Sequence, residues 1–475
     1  MVGDKKTAFG WIEDNKERLI EISDKIWELA ELGLIESKSS ALLADELEKH
    51  GFKVKRGIAS MPTAFIASYG RGKPVIGIIG EYDALPGLSQ KSVPRQEPLA
   101  EGKPGHGCGH NIYGTSGMAA AVAAKKAMEK SGLNGTIKFF GCPAEENYSG
   151  KVYMVRDGCF DGLDAAFGHH PGSMNAASLR SGLAIVSARF HFYGKAAHAG
   201  GAPEQGRSAL DAVELMNIGA NYLREHVIQD ARIHYIVEKG GFQPNIVPPY
   251  ARSWYYVRAP ERHEVEYIYD WIVEIAKGAA MMTRTELKVE VEAGLYNVIP
   301  NRTLAEVIVK NMREIGLPKY SKEELKFAEE VAKTIPHEEK VTSLKNTKRP
   351  GWEKLVDKLL DDEIPDPWGD GEFMHGSTDV GDVSWVTPAM EFDTATWVLG
   401  TPGHSWQNVA QSRCGLGHKS LIFASKVMAA TALDLLYDAK VLSRAKEEHR
   451  RRIGDREYKS PIPAGQKPPL DIWKE

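Results

Sequence analysis

Four short apolar runs, each ending in residues that can bind a cation or move a proton, restrict this chain's fold more than any other feature. Val75-Ile76-Gly77-Ile78-Ile79-Gly80 leads into Glu81-Tyr82-Asp83, and Thr136 to Cys142 leads into Pro143-Ala144-Glu145-Glu146. Ala165 to Gly168 leads into His169-His170-Pro171, and Thr396 to Gly400 leads into Thr401-Pro402-Gly403-His404. Continuous apolar runs of this length read as strands buried on both faces, the mark of parallel sheets. In open α/β sheets the functional site lies outside the carboxyl ends of the strands. Helical stretches at 112–130 and 418–436 complete an α/β reading with a largely parallel sheet.

A second stretch supplies more ligand chemistry to the same edge. In Gly105-His106-Gly107-Cys108-Gly109-His110-Asn111 a thiol and an imidazole stand two positions apart between glycines, which permit the tight bend needed to aim both at one place. Thiolate and imidazole suit zinc and its first-row neighbours rather than calcium or magnesium. The Gly/Ala-rich run that follows, to about Lys130, predicts a helix packed closely on its neighbours, its N-terminus beside the thiol.

Cys108, His110, one glutamate of Glu145-Glu146, one histidine of His169-His170, and His404 make a set sufficient for two close cations. Two ions about 3.5–4 Å apart lower the pKa of a bridging water and polarise a carbonyl. The spare glutamate is then placed to take the water's proton and hand it to a leaving nitrogen. Residue chemistry alone leaves open which glutamate and which histidine bind.

Composition bounds the remaining classes. A chain of 475 residues exceeds what one core usually serves, so two or three domains are expected. A net charge of −4 is too mild to call for nucleic acid or an anionic membrane. Met1 to Glu13 lacks the apolar centre of a signal peptide, and no uninterrupted apolar run approaches the roughly 20 residues that cross a bilayer. The four cysteines, Cys108, Cys142, Cys159 and Cys414, form no disulfide pattern, so the expected setting is the cytoplasm.

The succession Glu-Tyr-Asp-Ala-Leu-Pro, His-Gly-Cys-Gly-His-Asn, Pro-Ala-Glu-Glu, Gly-His-His-Pro and Gly-His-Ser resembles the aminoacylase/carboxypeptidase family of dinuclear metallopeptidases. Within it the chain looks most like the amidohydrolase branch. The tract Gly376 to Trp385, with Pro402 to Trp406, is most similar to the B-type subunits of aminobenzoyl-glutamate hydrolases. The match runs from about Trp11 to Leu436 in the family's order. The resemblance implies a zinc-peptidase-like catalytic domain and two divalent ions, zinc or manganese. It makes Glu145 the general base, Cys108, His110, Glu146, His170 and His404 the metal ligands, and Asp83 a residue that orients a ligand. Glu81 departs from the branch's aspartate and the wider family's histidine, and is left outside the ligand set.

Between about Ser181 and Val298 the character changes. Ala184 to Phe192 alternates as a half-exposed strand, Gly194 to Gly201 is a glycine-rich loop, and 207–224 and 260–281 read as helices. Because His404 completes the set only after this segment, it is an insertion. The expected organisation is a catalytic domain of 1–182 and 299–475 and an inserted α+β domain of 183–298. The segment resembles the family's dimerisation or lid domain. That resemblance implies a homodimer in which His198 and Asn245 reach the neighbouring subunit's site and Arg258 clamps the substrate carboxylate. Asp379, in Gly376 to Asp382, is expected at the pocket, either supporting the site from behind or as a further substrate contact. Residues 317–350 are expected to form a surface helix and loop, and Lys440 to Glu475 a charged helix end and tail.

The expected activity is metal-dependent hydrolysis of the amide of N-acyl or N-aroyl amino acids with a free carboxylate, p-aminobenzoyl-glutamate being the leading named candidate. The alternatives are a dipeptidase for β-alanyl-type amides and a hydrolytic deaminase. A small-molecule substrate and a second copy of the chain are the implied partners, with room for a second hydrolase subunit.

Overall fold

A computed structural model describes residues 2–474. Its main sheet contains β1 (Lys53–Arg56), β2 (Phe65–Arg71), β3 (Val75–Glu81), β4 (Gly135–Cys142), β5 (Ala165–Gly172) and, much later in the chain, the strand Ala389–Ala395. A second sheet is built from β6 (Ala184–Tyr193), β7 (Arg232–Lys239), β8 (Tyr250–Ala259) and β9 (Glu286–Leu295); Ala389–Ala395 is therefore β10. The main sheet runs β1-β2-β4-β3-β5-β10. The pairings β4–β3, β3–β5 and β5–β10 are parallel, while β2 runs against both of its neighbours. The sheet is thus mixed, with its parallel part where the ligand-type residues are delivered.

Alternation along the strands divides the core between two faces. Ile76, Ile78, Ile137, Phe139, Ala165 and Phe167 meet the helices His110–Ser131 and Gly415–Tyr437 on one side. Ile79, Phe140 and Ala166 meet Val152, Tyr153, Met154 and Phe160 on the other. Gly114 and Gly117 let the first helix lie against β3. A Cβ at Gly114 would come within 2.6 Å of the Glu81 carbonyl oxygen, and one at Gly117 within 2.9 Å of that of Ile79.

Three sequence expectations change here. Thr396–Gly400 is not a strand. It is a buried turn following β10, whose Glu391 and Asp393 break the apolar pattern that identified the other three. Helix Gly415–Tyr437 is long and apolar enough to cross a membrane by length and composition, although Lys419, Lys426 and Asp434 interrupt its apolar run. Most of it is buried within the protein, wedged against helix His110–Ser131. Residues 317–350 hold two helices, Lys322–Ala332 and His337–Asn346, and a helix at Val2–Asp14 precedes the two expected between Trp11 and His50.

The second sheet, β7-β8-β6-β9, is antiparallel throughout. Along β8 buried and half-buried residues alternate without exception. One face, with Val186, Ala188, Phe190, Tyr255 and Val257, packs on helices Ala209–Leu223 and Arg262–Thr283. Ile185, Ser187, Tyr256 and Arg258 occupy the alternate positions, on the opposite face.

Candidate active site and metal centre

At the carboxyl end of β3 the chain turns so that Asp83 is fully enclosed. One of its oxygens lies 2.8 Å from His110 Nδ1 and the other accepts the Glu146 backbone N–H at 3.0 Å. A single carboxylate therefore orients an imidazole from the helix that starts at His110 and the segment that follows β4. His170, on β5, has its Nδ1 2.7 Å from the Pro171 carbonyl oxygen. The Pro171 carbonyl and the Asp83 carboxylate each favour a proton on the facing Nδ1, an arrangement that gives Nε2 to a cation when one is bound. His169 points the other way, its nitrogens against Thr394 (2.7 Å) and Ser116 (3.1 Å), so the choice left open between the two histidines falls on His170.

The donor atoms gather in groups that share members. Donor atoms of Cys108, His110 and His170 lie within 4.8 Å of one another, and so do those of Cys108, Glu146 and His404. His404 Nε2 stands 3.0 Å from the Cys108 sulfur and 3.5 Å from Glu146 Oε2. The five ligand-type residues singled out in the sequence are thus brought together as two triads with Cys108 common to both. A third group, Glu81, His110 and Glu145, meets the same criterion. Glu145 accordingly stands with His110 and Glu81, while Glu146 stands with the thiol and His404.

The electrostatics of this cluster match a cation site. Burial, followed by the nearby Glu81 and Glu146 carboxylates, holds the Glu145 carboxyl well above the usual range. Burial, reinforced by Glu146 and Glu145, does the same to the Cys108 thiol. His170 is pushed down to about 3 by burial and by neighbouring His110. Glu81 Oε2, His110 Nε2 and Glu146 Oε1 are buried without a hydrogen-bond partner, although the first two are 3.1 Å apart. Acidic groups crowded beside unpartnered, inward-facing donors are costly alone and complementary to divalent cations. The residues present therefore fit two such ions.

One participant carried no motif that sequence reading could use. Lys151, fully buried on helix Gly150–Arg156, donates from Nζ to Glu81 Oε1 (2.5 Å) and Asp379 Oδ1 (2.6 Å), and its backbone N–H reaches Asp379 Oδ2 (2.9 Å). Of the two places expected for Asp379, the substrate-facing one is contradicted: its 0%-exposed carboxylate is turned inward by the lysine, behind the site, and Thr378 and Val380 line the cavity instead. Glu81, left outside the ligand set, faces the imidazole of His110 from the same buried ion cluster.

A cavity of about 600 Å³ opens over these groups, lined by Cys108, Glu145, Glu146, His170 and His404 below and by Ile185, Ser187, Tyr256 and Arg258 from the second sheet above. Arg258 Nε is buried and unpartnered. His198 and Asn245 are not among the lining residues. They stand side by side in exposed loops joined by the Ala199 N–H to the Asn245 carbonyl (2.9 Å).

Residues 77–347 match the family described as Peptidase family M20/M25/M40. The B-type subunit of the p-aminobenzoyl-glutamate hydrolase of Escherichia coli (strain K12) is 41% identical over 95% of this chain and 96% of its own length. The Xaa-Arg dipeptidase of Mus musculus is 28% identical over 94% and 93%. Among solved structures, the Bacillus subtilis YXEP protein, described as a dinuclear metal binding peptidase from the M20 family, superposes with a TM-score of 0.56. It is 18% identical and covers 89% of this chain and 99% of its own.

Proposed function

The chain belongs to peptidase family M20/M25/M40, and from that premise we propose that it hydrolyses the amide bond of N-acyl or N-aroyl amino acids, p-aminobenzoyl-glutamate-like, with the help of two divalent ions. The observation that carries this reading is the pair of donor triads joined through Cys108, with Glu145 beside them under a roof that presents Arg258.

Two ions held by Cys108, His110, Glu146, His170 and His404 would supply an acidified water and a polarised substrate carbonyl. The chain's own residues do the rest. Glu145, standing beside Glu81 and His110, acts as a carboxylate that takes the proton of the attacking water and returns it to the departing nitrogen. Asp83 fixes the tautomer of His110 and the position of Glu146. Arg258, with a free and buried Nε, receives the substrate carboxylate. His198 and Asn245 act on the site of a second copy, which is consistent with their placement outside their own cavity.

A homodimer is supported by the outer edge of the second sheet. There β7 leaves one side unpaired with Ile236 and Val237 exposed, the 93%-exposed Phe242 precedes Asn245 by three residues, and exposed Ile246 bridges to His198. The Escherichia coli relative is by its name one of the lettered subunits of its hydrolase, which supports a companion hydrolase subunit as an additional partner. Thiol and imidazole donors favour zinc, and the glutamate oxygens among them also suit manganese. Four free cysteines support a cytoplasmic setting.

Metal analysis with a hydrolysis screen tests the reading. About two zinc or manganese ions per chain and release of p-aminobenzoate from p-aminobenzoyl-glutamate are expected. Ammonia release with no carboxylate product would overturn it. A dipeptidase reading has one observation in its favour, the similarity to the Xaa-Arg dipeptidase, and β-alanyl dipeptides in the same screen address it.

A further inference from the structure

The cavity floor carries two carboxylates that the proposed chemistry does not use. Glu391 and Asp393 lie two residues apart on β10 and so project to the same side of the sheet, opposite Gly168 and His170 of β5 in parallel register. Both line the cavity. Glu391 is engaged, accepting the Tyr113 hydroxyl at 2.5 Å. Asp393 is not: among the described residues its backbone bonds to Ala176, but its carboxylate has no hydrogen bond and no ion pair.

The fold makes room for this unpartnered group. A Cβ on Gly172, across the strand pair, would come within 3.0 Å of Asp393 Cβ and 3.4 Å of Cγ, so only glycine leaves space for the side chain. His170 does not need Asp393 as an orienting partner, because its outer nitrogen already faces the Pro171 carbonyl. The neighbouring cation, Arg180, acts on Asp393 only through space, its hydrogen bonds going elsewhere, through Nε to Ser178 Oγ (3.2 Å) and through Nη1 to the Asn346 carbonyl (2.9 Å). A carboxylate only accepts hydrogen bonds, and one left bare in a cavity is costly unless a ligand supplies the donor. The substrate's carboxylate already has a partner of opposite charge in Arg258, whose buried Nε stands ready for it. The donor therefore belongs to the acyl half.

Resting on the hydrolase reading above, we propose that Asp393 is a specificity-determining residue: it accepts a hydrogen bond from an amino group carried by the acyl half of the substrate. The enzyme thereby favours amino-bearing over amino-free acyl groups. An aromatic amine and an aliphatic amine offer the same donor, and the test separates them.

Metal-loaded wild type and Asp393→Asn are compared on two matched pairs: p-aminobenzoyl-glutamate with benzoyl-glutamate, and β-alanyl-arginine with propionyl-arginine. Both kcat/KM and equilibrium binding are measured. Wild type is expected to favour the amino-bearing member of one pair by about 10- to 100-fold, the discrimination a charge-assisted hydrogen bond provides. The pair that shows it identifies the amine as aromatic or aliphatic. In Asp393→Asn the ratio should shrink to within about threefold. A ratio near one in the wild type for both pairs, or a large ratio that survives in the variant, overturns the proposal. If all four compounds are cleaved without discrimination, the hydrolase reading stands and this inference falls. If none is cleaved but tighter binding of an amino-bearing member is lost in the variant, the inference stands and the hydrolase reading falls. Because the side chain makes no bond that the fold depends on, the variant should retain its metal content and melting transition, and Asp393→Ser provides a second variant for the same ratios.

Discussion

Asp83 serves two ligands at once, and the glutamate pair beside it divides its labour by where the side chains fall. Glu145 stands with Glu81 and His110, away from the thiol–His404 side on which Glu146 sits. Glu145→Gln keeps size and removes the base, so kcat should fall by about 10²–10⁴-fold while inductively coupled plasma analysis finds metal retained. Lys151 tells a different story. It neutralises Glu81 and Asp379 in an enclosed space, and Lys151→Met would leave both carboxylates buried without a cation. Such breakage costs about 3–5 kcal/mol, to be read in urea unfolding.

Asp382 gives a pH signature remote from the ligands. Buried between Tyr458, whose hydroxyl it accepts at 2.8 Å, and the Tyr296 N–H at 3.1 Å, its carboxyl is pushed up to about 7 from an ordinary 3.8 by burial. The folded state thus holds a proton that the unfolded chain loses near pH 4. Stability falls as pH rises from about 4 to 7 and levels off above. Asp382→Asn can accept from Tyr296 and donate to Tyr458 without ionising. Its melting temperature should exceed the wild type's at pH 8 by roughly 2–4 °C, and the gap should close toward pH 4. No local pattern could have disclosed any of these partners. The ligand-type residues announce themselves by motif, whereas Lys151 looks like any lysine on a short helix, and the inward turn of Asp379 depends on that lysine.

The helix His110–Ser131 illustrates how an element was legible when its packing was not. Its Gly/Ala run predicts close approach, and the approach is to a carbonyl at the very end of β3, next to the site. Gly114→Ala would force its new methyl onto Glu81 O at 2.6 Å and Leu43 Cδ1 at 3.0 Å. A loss of about 1–3 kcal/mol is expected, measured by thermal melting, with weaker metal retention because the helix begins with His110. The strands β3, β4 and β5 were readable because uninterrupted Val, Ile, Phe and Ala have no other use. β10 was missed, its place taken in the reading by Thr396–Gly400, because a strand that offers Glu391 and Asp393 to a cavity gives up the apolar signature of its neighbours. β2 and β7 escaped for a related reason: partly exposed strands mix polar and apolar residues, and Arg232–Lys239 has only Ile233 fully buried.

At the scale of the whole molecule, the second sheet roofs the cavity with Ile185 and Ser187 of β6 and Tyr256 and Arg258 of β8 while its opposite face packs its own helices. If His198 serves a partner's site, a mixture of inactive Glu145→Gln and impaired His198→Ala chains, allowed to exchange subunits, should regain about a quarter of wild-type turnover. Half of the dimers are then mixed and each holds one intact site of two. Failure to regain activity despite subunit exchange would remove His198 from the neighbouring site. The two-sheet plan was visible as a change from continuous to alternating apolar patterning near Ser181. The placement of one sheet over the other was not, since it rests on side chains from distant segments meeting across a cavity.

The position of β10 beside β5 has a consequence for how the enzyme comes into being. More than two hundred residues separate these neighbours, counting from Gly172 to Ala389, so the first parallel strands must wait exposed along one edge while the ribosome makes the rest. His404 emerges later still. A growing chain consequently cannot assemble its cation cage until translation is nearly over, and a truncated product, however well its early helices form, is chemically inert toward amides.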